Sequence, residues 1–248
     1  NDEAAEESFQ KAIAVDPGFV STYNNLGTVL EAQGRFGDAI RVYQKGLQAD
    51  ANQPRLHFNL GIAYERLGKV AEAREEYEAA LRLKPGWADA LNNLGVILHR
   101  QGDVRAAERN LRQALRAEPR NARALNNLGV VLGAAGRADE AQQAYREAMK
   151  ADPRYAQASS NLASLLEDAG RWSEALDELR RLLQLEPANV DARIRLGAIY
   201  AMLENWDEAV KHLQAVLAAD PANTRALLAL ASVFRRGART DEAMACYE

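Results

Sequence analysis

Five asparagines stand 34 residues apart: Asn25, Asn59, Asn93, Asn127 and Asn161. A carboxamide offers N–H donors and an acceptor oxygen, the same pair of functions that a peptide group carries. A line of them can therefore read a backbone whatever its side chains. Asn24, Asn92 and Asn126 stand directly before members of the line and would double it on an adjacent face. Asn is a mediocre helix former, so local propensity does not explain why it returns at one spacing. The structural alternative is that each amide bonds a neighbouring helix or loop and supports it.

Other residue types with chemical potential form no set. His57, His99 and His212 fall at unrelated places, and none has a second His or Cys four residues away that would put two metal ligands on one helix face. Ser and Asp occur without a His in a setting that suggests nucleophilic activation. No glycine-rich loop follows a strand, so no phosphate cradle is expected. Catalytic residues, cofactor and metal are all read as none. Arg105, Arg109, Arg112 and Arg116 form a basic stripe on one helix, readable as an anion-binding ridge. Glu108 interrupts it, which favours a solvated outer face.

The bulk numbers narrow the partners. A net charge of -4 and a pI near 5.6 give no general attraction to nucleic acid or to an anionic membrane. No apolar run approaches the roughly 18 residues that suggest a membrane helix. The single cysteine, Cys246, excludes an internal disulfide. Asn1 to Val15 reads as a second helix without its first, so the chain is expected to be a piece of a longer protein.

The elements that would hold the asparagines are set by the same period. Ala90 to Val96 returns letter for letter as Ala124 to Val130. With Val20 as position 1, position 7 is Leu at Leu26, Leu60, Leu94, Leu128, Leu162, Leu196 and Leu230. Position 20 is Ala from Ala5 through Ala39, Ala73 and onward to Ala243, and position 32 is Pro everywhere but at Ala51. The expected boundaries are a second-helix remnant over 1–19, full repeats over 20–53, 54–87, 88–121, 122–155, 156–189 and 190–223, and a truncated repeat over 224–248, all in one continuous solenoid. Within each repeat a first helix should run over positions 2 to 14 and end at a glycine such as Gly34 or Gly68. A second helix should start near position 18 and end before the Pro. Gly or Ala at position 8 and Ala at position 20 would let the two backbones approach closely. In the sixth repeat Asn205 is expected to take the left-handed place of the glycine.

This pattern of period, Leu-Gly, small Ala and closing Pro resembles the tetratricopeptide repeat family over the whole chain. The resemblance implies an all-α, right-handed superhelical solenoid of antiparallel helix pairs, with the first helices lining an inner, concave surface. The Asn line would then form a ladder along that surface, with Ile62, Val96 and Val130 at position 9 as an apolar strip beside it. Packed helices lie about 8 to 10 Å apart and an extended chain advances about 3.3 Å per residue. One Asn would meet about every third residue of an extended peptide. The Asn line resembles that in the repeat arm of O-linked N-acetylglucosamine transferase. The carboxylate clamp of co-chaperone relatives is absent as a set, because position 9 holds no Asn.

The expected function is a non-catalytic protein-interaction scaffold that binds a protein or extended peptide in an Asn-lined groove, with no nucleic acid and no membrane insertion. One alternative is the substrate-presenting arm of a larger enzyme such as a glycosyltransferase. Another is a structural spacer. End-to-end self-association through open faces around Phe9 and Leu227 is also expected.

Overall fold

The computed structural model describes residues 2–237, and every one of its regular elements is an α-helix. The first helices of successive repeats are α2 (Val20–Ala32), α4 (Pro54–Arg66), α6 (Ala88–Arg100), α8 (Ala122–Ala134), α10 (Ala156–Asp168), α12 (Val190–Met202) and α14 (Thr224–Arg236). The second helices are α1 (Asp2–Val15), α3 (Phe36–Ala49), α5 (Val70–Leu83), α7 (Val104–Ala117), α9 (Ala138–Ala151), α11 (Trp172–Leu185) and α13 (Trp206–Ala219). The helices start and end within two residues of their expected places. Ala243 and Cys246, with the rest of the truncated repeat expected after Gly237, lie outside the described residues.

The helices end where the sequence removes the means of continuing. Gly34, Gly68, Gly102, Gly136 and Gly170 all have φ between 69° and 84°, the left-handed turn that closes a first helix and that a Cβ disfavours. The sixth repeat differs from expectation. Glu204, not Asn205, stands in the glycine place with φ 59°. Asn205 instead caps α13, its side chain accepting from the Glu208 amide at 3.4 Å.

Two compact units divide the chain, Asn1–Val131 and Leu132–Glu248, the division falling within α8. In both, the Leu at position 7 and the Ala at position 20 form the core: Leu60 and Ala73 in the first, Leu162 and Ala175 in the second, are buried almost completely. Position 8 works as a contact rather than a hinge. A Cβ on Gly27 would fall 2.1 Å from the Tyr43 ring, and one on Gly61 would fall 2.7 Å from Tyr77. Each tyrosine from a second helix thus packs against the bare backbone of the first and is fully buried there. The stack within each unit is helix on neighbouring helix, α4 against both α3 and α5 in the first, α12 against both α11 and α13 in the second. No described helix is long and apolar enough to cross a membrane.

Candidate peptide-binding face

In the first unit the amides at positions 5 and 6 join successive repeats. Asn59 Nδ2 donates to Asn24 Oδ1 at 2.9 Å, and Asn127 Nδ2 donates to Asn92 Oδ1 at 2.8 Å. The rule is that the Asn at position 6 of one first helix holds the Asn at position 5 of the first helix before it. Phe58 breaks the rule by occupying position 5 of the second repeat, where it packs on Trp87 with ring centroids 4.5 Å apart. Asn93 therefore turns to Tyr77, donating to its hydroxyl at 3.2 Å.

Burial sorts the predicted residues. Asn92 and Asn126 are only 1% and 3% exposed. Each bonds its neighbour on the same helix, Asn92 donating to Asn93 Oδ1 at 3.2 Å and Asn126 to Asn127 Oδ1 at 3.5 Å. Their expected place in the lining is corrected on that ground, since a buried side chain has no face to offer a ligand. Asn25 is exposed, while Asn59, Asn93 and Asn127 are half-buried, as are Ile62, Val96 and Val130. A carboxamide has two N–H groups and two lone pairs, so one or two internal bonds leave part of each of these amides uncommitted.

Three first helices share an open hollow of about 370 Å³ lined by Ile62, Glu65, Arg66, Asn93 and Arg123. A neighbouring hollow of about 520 Å³ includes Asn24, Asn25 and Arg55. Glu65 of the first hollow's lining is paired with a tyrosine, and the same two positions, 24 and 12, carry Tyr43 and Glu31 in the repeat before. Tyr77 donates to Glu65 Oε2 at 2.6 Å, and burial pushes its hydroxyl well above the ordinary tyrosine range. One repeat earlier, burial raises Glu31 to about 7. The Tyr43 hydroxyl and Arg66 charge oppose that rise in part, although Tyr43 does not reach hydrogen-bond geometry. Sequence reasoning passed over these residues, along with Arg66 and Arg123. The recurring Tyr at position 24 with Glu at position 12 was the available signal.

The second unit is furnished differently. Asn161 is half-buried and accepts from Gln157 Nε2 at 3.0 Å. At position 6 of the next repeat Arg195 donates to Ser164 Oγ at 2.9 Å and pairs with Glu167 at 2.9 Å. An ion network replaces the amide contact there. Back in the first unit, the Arg105 to Arg116 stripe on α7 is exposed, with Arg112 Nε on Glu108 at 2.8 Å. His57 bridges α5 and the turn before α4. Its Nδ1 meets Glu76 at 2.6 Å and its Nε2 the Ala51 carbonyl at 3.2 Å. Two acceptors favour the doubly protonated ring, and the Glu76 bond above all raises its pKa. Among the described residues no three His, Cys, Asp or Glu side chains gather as metal ligands would.

Helix pairs of this length, closed by these turns and stacked through positions 7, 8 and 20, define the tetratricopeptide-repeat class of helical solenoids. Residues 2–222 match the family described as the cilia and flagella-associated protein 70 C-terminal domain, to which the chain belongs, and residues 203–248 match the family described as tetratricopeptide repeat. No curated protein matches the sequence. Among solved structures the chain is similar to Pseudomonas aeruginosa pilF, with a TM-score of 0.72 and 20% identity, over 84% of this chain and 94% of that one. It is also similar to a chain of the APC/C hetero-tetramer Cut9-Hcn1, with a TM-score of 0.74 and 18% identity, over 94% of this chain and 46% of that one. A third is YrrB, described as a TPR protein with an unusual peptide-binding site, with a TM-score of 0.61 and 24% identity, over 75% of this chain and 96% of that one. At these identities the likeness establishes the fold. The fold is that of a protein-interaction scaffold, whose relatives are generally non-catalytic.

Proposed function

We propose that the amide-bearing face of the first unit holds an extended segment of a partner protein through its backbone. The observation that carries this reading is the hollow shared by α4, α6 and α8, where Asn93 stands between the aliphatic Ile62 and two arginines. Asn25, Asn59 and Asn127 repeat the amide at the same position of the flanking repeats, and their remaining donors and acceptors match peptide groups about three residues apart on an extended chain. The description of YrrB as peptide-binding supports the same use of this fold. Each net hydrogen bond contributes about 0.5 to 1.5 kcal/mol against about 1 to 2 kcal/mol per residue ordered, so affinity for a short peptide is on the order of micromolar.

The Asn59 to Asn24 and Asn127 to Asn92 bonds favour a second reading, in which the amides serve the stack alone and the array is a spacer. A peptide array probed with the parent chain and with a variant carrying Ala at Asn25, Asn59, Asn93 and Asn127 separates the two. Lost binding in a variant that melts like the parent supports the backbone reader. A lowered melting temperature with unchanged binding by the folded fraction supports the spacer.

A further inference from the structure

We infer that the segment held on the first unit is acidic, with one aspartate or glutamate side chain seated between Arg66 and Arg123 beside Asn93. This rests on the backbone-reading role of the same face and adds the chemistry of the ligand.

Arg66 closes α4 and Arg123 opens α8, and they meet on the hollow that Ile62 and Asn93 also line. Arg66 is exposed, and its charge acts on the half-buried Glu31. Arg123 gives one guanidinium nitrogen to Asp89 at 2.9 Å, in a pair about half exposed on both sides. A guanidinium carries five N–H donors in a fixed fork, so most of both groups remains available, and a carboxylate is the acceptor that fits the fork.

The carboxylates nearby do not satisfy this demand. Glu65, which lines the hollow, already accepts the Tyr77 hydroxyl and faces Arg100 at 3.8 Å. Glu31 answers the Arg66 charge only in part, since burial raises its pKa and favours the neutral acid. Arg55, exposed in the neighbouring hollow with Asn24 and Asn25, extends the cationic face along the expected path of the segment. The whole chain is net -4, so this basicity is local and runs against the average. Ile62 gives the seated side chain an apolar wall for its methylenes. The hollow lies partway along the face, between Arg55 on one side and Asn127 on the other, which suits an internal side chain rather than a chain end.

The test is fluorescence anisotropy on the full chain with short, C-terminally amidated peptides. One has Glu at every third place among Ser and Ala, and its counterparts have Gln or Lys there. The acidic peptide should bind about tenfold tighter than the Gln peptide at low salt, and the margin should shrink as salt rises. Arg66→Gln and Arg123→Gln should each bring the two peptides toward parity while leaving the circular dichroism unchanged. Equal binding of Glu and Gln peptides to the parent, with loss in the Asn25, Asn59, Asn93, Asn127 variant, would overturn the acidic subsite and leave backbone reading intact. A preference for the Lys peptide, or an acidic preference that appears only with a free C-terminal carboxylate, would overturn it as well. If none of the peptides binds the parent, both readings fall together.

Discussion

Asn127 reaches back to the repeat before it and donates from Nδ2 to Asn92 Oδ1 at 2.8 Å, although Asn127 is half-open to solvent and Asn92 is buried. The two amides have the same chemistry and different energetics. Asn92→Ala leaves the Asn127 donor unmatched on one side and an empty space beneath it, and should cost about 1 to 3 kcal/mol. Asn25→Ala, at an exposed position, should stay within about 0.5 kcal/mol of the parent. Urea unfolding followed by circular dichroism gives both numbers. Equal costs at the two positions would mean that burial does not divide the amides into bracing and contacting sets.

Glycine content predicts opposite signs at two helical positions. Gly61→Ala forces a Cβ to 2.7 Å from the Tyr77 ring, which cannot retreat from a packed seam, and should destabilise by about 1 to 3 kcal/mol. Gly37→Ala has open space around its new Cβ inside α3 and should stabilise by about 0.5 to 1 kcal/mol. Thermal melts of the two single variants should move in opposite directions.

Glu204 is held at φ 59° where the other repeats use glycine. The left-handed region costs an L-residue about 1 to 2 kcal/mol, part of which glycine returns through its larger unfolded entropy. Glu204→Gly should therefore stabilise the second unit by about 0.5 to 1 kcal/mol. Hydrogen exchange of the α12 and α13 amides would report the gain locally, and faster exchange there would contradict it.

Two groups in the first unit make its stability fall as pH rises. Burial lifts Glu31 from 4.5 to about 7, so the fold prefers the neutral acid and stability is lost as pH rises from near 4.5 through 7. His57 is raised by Glu76, so its contribution is full below the ordinary histidine value of 6.5 and is lost as pH passes its folded pKa. Glu31→Gln, which keeps the shape without the charge, should flatten the acidic part of this slope. His57→Gln should flatten the part above 6.5 and leave the rest. Urea midpoints across that range, for parent and both variants, check the sign.

The frame of this protein was set by its sequence because close packing of two helices admits few residues at the contact. Leu at position 7, Ala at position 20, glycine in the left-handed turn and proline after the second helix each answer a local geometric demand, so their spacing alone located the helices. The asparagine line was visible for the same reason. What it does was not, because a hydrogen-bond partner depends on the neighbour in space. Phe58 in place of an asparagine sends Asn93 to Tyr77, and burial turns Asn92 and Asn126 into braces. Arg66 and Arg123 look like ordinary surface charges in the sequence, on different repeats. Only the stacking of α4, α6 and α8 brings them to one hollow, since charge and distance, unlike periodicity, are properties of the folded arrangement.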